Sequence, residues 1–468
     1  MGIRDSYGSE VSSIRELTVQ NSRLRGARRI SHATRWKMVY GFSALVFPRL
    51  SEGEDFNLVK VSEQFLVRKH FDKNSLMAAV QSLALAIENM QENTSHGQIN
   101  EIEESLNKLH WLADTYLNVG HYAEVEDKHR LFYSLVCCLQ ARFFFKQENY
   151  VSALRSCDNG LLKGNDLDNR WLSKFASFLC LLRLPPVKNL ATKEESSSKS
   201  NYLSKEPEPL PNSVRIPVMV LPSLCSFHQE FYAKNKPLII RGMVNEWPAF
   251  RKWSFSYLNS LCGHRTVPVE LGKKYTDEDW LQQLMSFHDY LAQYVFQSEK
   301  TLKTGYLAQH RLPVSEDLPH SDLRFHVKNQ IPELLNDIII PDYCAFGENG
   351  LNEDLLTINM FIGPEGTISP LHIDPRHNFF CQVRGRKFVR LINPGCRSSL
   401  YMFDDLMRQN TSQVDVENPD LKQFPRFSVV QCEDFLMEPG DCLFIPRGYF
   451  HHIRALEKSI SVSIWFGD

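Results

Sequence analysis

The sequence predicts an α+β multidomain protein, an all-α N-terminal half followed by an all-β jelly roll. Three observations carry that expectation. Helical periodicity dominates residues 61–187, short β-rich runs divided by Pro and Gly crowd residues 305–468, and a polar stretch at 188–213 separates the two textures. The chain has 468 residues, a length that fits two domains. Apolar residues make up 43% and charged residues 23%, enough for a sizeable core. A formal charge of −2 argues against a general basic surface for nucleic acid, so no direct nucleic-acid contact is expected. Eleven scattered cysteines without a C-x-x-C pair read as free thiols in a reducing compartment. No apolar run approaches the roughly 18 residues of a membrane span, so no membrane partner is expected.

Residues 1–40 hold eight Lys/Arg against three acids, and 1–60 reads as a disordered basic arm. Within it "RLRGARR" fits a nuclear or organelle signal, and "MGIRDS" fits the loose N-myristoylation pattern. The expected compartment is the nucleus, with the cytoplasm open as a second. In 61–187, "LMAAVQSLALAIENM" and "IEESLNKLHWLADTYL" place apolar residues three and four apart. "WLADTYLNVGHY" and "ARFFFKQENYVSAL" resemble tetratricopeptide turns, but Tyr122 and Tyr150 are 28 apart, against about 34 for that repeat. This half is expected either to dock a protein partner or to cap the second half. The stretch 188–213, "KNLATKEESSSKSNYLSKEPEPLPNS", has too few large apolar groups to order itself and reads as a linker. Residues 214–468 form the second domain, with its jelly-roll core at about 305–468. Its strands include "KPLIIRGM", "RTVPVEL", "LTINMFI", "KFVRLI", "CLFIPR" and "SISVSIWF". "TDEDWLQQLMSFHDYLAQYVF" reads as a helical insert ahead of the core.

The chemistry is concentrated in "SPLHIDPRHNFF", residues 369–380. Alone, H-x-D is a weak signal that also suits a turn beside proline. Gly366, His372, Asp374, Asn378 and Gly385 stand in order, however, and Gly440, Pro446, Gly448 and His451 follow downstream. These two spacings resemble the paired metal motifs of the cupin superfamily, whose fold is a double-stranded β-helix, the cupin-like jelly roll. Residues i and i+2 project from one strand face, as a shared metal requires. Asp374 replaces the second histidine of that pattern, and Asn378, an amide, replaces its glutamate. His372, Asp374 and His451 remain, a facial triad of the kind that holds non-haem Fe(II) with open positions. Structural zinc is usually closed by four ligands, and here only Cys381 is near, with the wrong strand parity. His377 and His452 have the wrong parity too and should face away. Lys387, just past Gly385, is either a solvated edge lysine or a buried one needing a carboxylate; a dicarboxylic acid such as 2-oxoglutarate supplies one.

"RTVPVELGKKYTDEDW", "GYLAQH", "IPDYC", "GTISPLHIDPRHNFFCQVRGRKFVRL", "NTSQVDVENPDL", "FIPRGYFHHIRAL" and "SVSIW" together resemble the JmjC oxygenases, from about Pro217 to the C-terminus. The resemblance implies Fe(II), with 2-oxoglutarate and O2 as co-substrates. It implies that Tyr306, Ser369, Asn378, Lys387 and Trp465 line the co-substrate pocket, and that Glu270 and Gln309 approach the substrate. Without it, Trp465 reads as a core aromatic and Glu270 as a solvated strand-end carboxylate. Two departures stand out. Phe361 occupies a place where the family resemblance leads one to expect Trp, and "RLPVSEDLPHSDLRFHVKNQ", 311–330, is longer than the matching family segment. The expected activity is arginine hydroxylation in a protein or peptide with basic residues, a histone tail among the candidates. The alternatives are methyl-lysine demethylation, histone-tail peptidase activity and, last, a non-enzymatic scaffold.

Overall fold

The computed structural model describes residues 73–467, apart from 120–123, 166–170, 183, 189, 191–204, 278, 297–302, 309–330, 348–355 and 406–407. The basic arm, Tyr122, Gln309, segment 311–330 and most of the 188–213 stretch therefore lie outside the described residues. Among the described residues, five helices come first: α1 (Lys73–Asn89), α2 (His96–Leu117), α3 (Asp127–Lys146), α4 (Tyr150–Lys163) and α5 (Trp171–Leu181). Helix α2 starts at a capping box between Ser95 and Gln98, which satisfies two otherwise unpaired N–H groups. It buries Ile102, Leu106, Leu109 and Ala113, the single apolar stripe its periodicity predicts. Helix α3 buries residues on all sides and is the centre of the bundle. Gly160 of α4 lets two neighbours close in, since a Cβ there would meet Leu172 at 2.8 Å and Cys137 at 3.0 Å.

Among the described residues, fourteen strands follow. They are β1 (Ser213–Arg215), β2 (Val218–Val220), β3 (Leu238–Arg241), β4 (Thr266–Leu271), β5 (Leu281–Ser286), β6 (Gly305–Tyr306) and β7 (Thr357–Gly363), then β8 (Ile368–Ile373), β9 (His377–Arg384), β10 (Lys387–Ile392), β11 (Cys432–Met437), β12 (Cys442–Ile445), β13 (Phe450–Ala455) and β14 (Ser459–Phe466). One sheet runs β1-β11-β10-β13-β8, a second β2-β3-β12-β9-β14-β7, and a small third β5-β4-β6. The chain is thus α+β, helices first and a jelly roll after. The apolar face of the six-stranded sheet, with Ile358, Met360, Phe379, Val462 and Ile464, packs into the largest core cluster. Its opposite face looks into the barrel.

One expectation changes. The insert expected to be helical contains strand β5, "LQQLMS", which pairs antiparallel with β4 over Thr266–Leu271. Pairing along β4 outweighs the helix propensity of Leu, Gln and Met. The two halves also touch each other. Composition divides the chain at 188–213, but Ala79–Asp468 is one compact unit. The physical reason is a fully buried ion pair. Arg265, at the entry to β4, donates from Nη2 and Nε to Asp158 of α4 at 2.7 and 2.9 Å, and the Thr266 N–H reaches the same carboxylate at 2.7 Å. Asn259 and His264 also meet the backbone of Lys188 and Pro185, at 3.1 and 2.7 Å. Polar linker chemistry does not prevent contacts from crossing it. Among the described residues, no helix is long and apolar enough to cross a membrane.

Candidate metal and co-substrate site

His372 on β8 and His451 on β13 are register partners in the five-stranded sheet. The β13–β8 register shifts between His451 and Ile453, and such a bulge re-aims side chains beside a site. Asp374 follows β8 directly, and its carbonyl accepts the Gly448 N–H at 3.0 Å, so the Pro446–Gly448 turn pins it. One ligand atom from each of the three lies within 4.8 Å of the others. Asp374 is 3.9 Å from His372 Nε2 and 3.4 Å from His451 Nε2. Each imidazole is oriented through its other nitrogen: His372 Nδ1 bonds the Pro370 carbonyl at 2.8 Å and His451 Nδ1 the Tyr449 carbonyl at 3.1 Å. Backbone carbonyls that accept from Nδ1–H leave the lone pair on Nε2, the nitrogen a metal would bind. Two neutral nitrogens and one carboxylate converging in a pocket fit a divalent iron ion with further positions open.

The remaining histidines sit elsewhere. His377 is packed among Tyr232, Phe444 and Phe466, its Nδ1 accepts the Arg447 N–H at 3.1 Å, and burial drives its pKa down to about 4. His452 is on the opposite face of β13, 2.7 Å from Glu417. Cys381 faces the outer core, paired in register with Cys442.

The pocket beside the triad is lined by Tyr306, Ser369, Asn378 and Trp465, together with Glu270 and Phe361. Asn378 and Trp465 are register partners on β9 and β14, and Asn378 Oδ1 accepts the Ser463 hydroxyl at 2.7 Å. Gly385 (φ +69°) makes the turn that starts β10, where a Cβ would strike the Lys458 carbonyl at 2.2 Å. Two residues on, Lys387 is 1% exposed, so the solvated alternative does not hold. Its Nζ is 3.3 Å from the Tyr306 hydroxyl and 5.1–5.9 Å from the ring centres of Phe380, Tyr306 and Phe361. Glu270, on β4 opposite Tyr306, is buried rather than solvated. Burial raises its pKa to about 7, with the nearby Trp280 side chain pulling the other way.

Sequence reasoning missed several lining residues, Tyr275, Phe380, Asn410 and Ser463 among them. Phe380 and Ser463 follow from strand parity with Asn378 and Trp465. Tyr275 and Asn410 have no such signal. They meet because the segment 408–413 runs beside β8, bridging Thr411 to His372, while the Tyr275 hydroxyl reaches Thr411 Oγ1 at 2.9 Å.

The fold and this ligand set define a cupin-like Fe(II) oxygenase, and comparison with known proteins agrees. The cupin-like domain family matches residues 225–468. The chain belongs to the JmjC family of Fe(II)- and 2-oxoglutarate-dependent oxygenases. It is similar to lysine-specific demethylase 8 of Danio rerio, 40% identical over 75% of this chain and 84% of that protein. It is similar also to lysine-specific demethylase JMJ30 of Arabidopsis thaliana, 32% identical over 76% of this chain and 84% of the relative. Jumonji C domain-containing protein 5 of Drosophila melanogaster is 30% identical over 75% and 83%.

Proposed function

We propose that the chain oxidises a cationic side chain of a protein substrate, with His372, Asp374 and His451 holding iron. Glu270 carries the substrate half of this reading. It is a buried carboxyl in the triad's own pocket, and its Oε1 has no hydrogen-bond partner among the described residues. An unpaired buried acceptor costs about 1–3 kcal/mol, and an arriving cation removes that cost. Iron with its co-substrates supplies the oxidising chemistry; the chain supplies position, a dry pocket and charge. Lys387 and Tyr306 meet the distal carboxylate of 2-oxoglutarate, while Ser369, Asn378 and Trp465 shape its slot. Gln309, outside the described residues, keeps its proposed place on the substrate side.

The reaction supported first is removal of a methyl group from lysine, because the curated relatives named above include two lysine-specific demethylases. Arginine hydroxylation, placed first from sequence alone, stands second. Glu270 favours it, since a carboxylate suits a guanidinium fork. Peptide cleavage ranks last. A histone tail fits as the basic substrate and the nucleus as the compartment. The helical half would add a partner surface. An idle scaffold has no use for a triad with a buried lysine behind the aromatic wall of its pocket, and it would consume no 2-oxoglutarate.

Glu270→Gln keeps the shape and removes the charge. A charge-assisted hydrogen bond contributes about 1.5–3 kcal/mol, so use of a cationic peptide should fall roughly ten- to a hundredfold. Affinity for 2-oxoglutarate should stay unchanged. Peptide kinetics and co-substrate binding, measured on the same variant, check this; unaltered peptide use would remove Glu270 from the substrate site.

A further inference from the structure

Lys387 presents a problem of charge. Its side chain is sealed, and its hydrogen-bond partner is a neutral phenol, Tyr306. Three aromatic faces surround the nitrogen, but cation–π attraction of about 0.5–2 kcal/mol falls short of the desolvation of a fully buried ammonium.

The charged groups nearby do not resolve it. Arg386, next in the chain, pairs with Glu457 at 2.8 Å, and Arg390 points to the other face of β10, where it pairs with Asp434 at 2.7 Å. On the pocket side β4 contributes Glu270, the register partner of Tyr306, and β8 and β13 contribute the triad. None of these carboxylates is within ion-pair reach of Lys387 among the described residues. Strands β11 and β13 place Met437 and Ala455 beside it.

We propose that 2-oxoglutarate enters this site together with a proton: Lys387 is largely neutral in the free protein and takes up one proton as the distal carboxylate arrives. Burial alone accounts for a lysine pKa driven down to about 7. A carboxylate at hydrogen-bond distance then favours the charged form and raises that pKa again. The sign follows. Below about pH 7 the ammonium already exists and no proton is taken up. Above it each co-substrate brings one, and affinity falls by up to about tenfold per pH unit.

The inference rests on Lys387 as the partner of the distal carboxylate, and calorimetry can test both. Full-length protein loaded with Mn(II) is titrated with 2-oxoglutarate in two buffers of different ionisation enthalpy. A pKa near 7 predicts uptake of about nine-tenths of a proton at about pH 8 and about one-tenth at about pH 6. Lys387→Arg, which stays charged, should bind without uptake at either pH. Wild-type binding with no uptake at about pH 8 overturns the proposal, and so does uptake that persists in Lys387→Arg. Lys387→Met binding as tightly as wild type would overturn the underlying assignment instead.

Discussion

Asp374→Ala lowers iron affinity and 2-oxoglutarate turnover together, each by more than about a hundredfold. Loss of an outer-shell partner of a metal ligand already costs about 10–100-fold, and Asp374 is the one anion of the triad. Removing it leaves two neutral imidazoles, a poor site for a hard divalent ion. His377→Ala changes both quantities by less than about twofold, because that ring lies in an aromatic cluster rather than at the triad. Iron binding by calorimetry and turnover by 2-oxoglutarate consumption provide the two readings. The reverse pattern would move the metal to a different ligand set.

Asp158→Ala is expected to destabilise the whole unit by about 3–5 kcal/mol, the typical cost of stranding one partner of a buried pair. Arg265 would keep its charge at 2% exposure with the bidentate acceptor gone. The same reasoning applies to a fragment beginning near Val214, which lacks α4 and should be poorly soluble. Linker composition alone predicts the opposite, a fragment that folds by itself. Replacing both partners by apolar residues of similar size, as in Asp158→Leu with Arg265→Met, should recover much of the loss. Denaturant titrations of the single and double variants measure it. A neutral Asp158→Ala would show that the contact does not couple the halves.

Strand parity made much of this site legible in the sequence. His372 with Asp374, and Asn378 with the glycine spacing around it, are local relations within one strand and its turns. The same parity places His377 and His452 away from the metal, and the structure finds them paired with a backbone N–H and with Glu417. What stayed hidden depends on contacts between distant segments. Asp158 and Arg265 are 107 positions apart, and nothing local in either stretch announces the other. Tyr275 reaches Thr411 across 136 positions. Strand β5 was misread for a related reason: "LQQLMS" has helical residue types, and only its partner β4 makes it a strand.

The departure at Phe361 becomes concrete in the structure. The ring sits 5.9 Å from Lys387 Nζ and 6.3 Å from the Tyr306 ring, against the two residues proposed to hold the co-substrate. Phenylalanine gives a smaller stacking surface than tryptophan and a weaker cation–π attraction. On the proposed reading, that leaves more of the recognition of a cationic substrate to Glu270.

The central claim, oxidation of a cationic side chain at the iron site, is tested most directly by mass spectrometry of matched peptides. Peptides carrying methyl-lysine, unmodified arginine or a neutral isostere are incubated with the iron-loaded full-length protein, 2-oxoglutarate and oxygen. The account predicts loss of a methyl group from lysine, or gain of one oxygen on arginine, in step with 2-oxoglutarate consumed, and no change in the neutral peptide. Equal oxidation of the neutral isostere, or product formed without 2-oxoglutarate consumption, would contradict it.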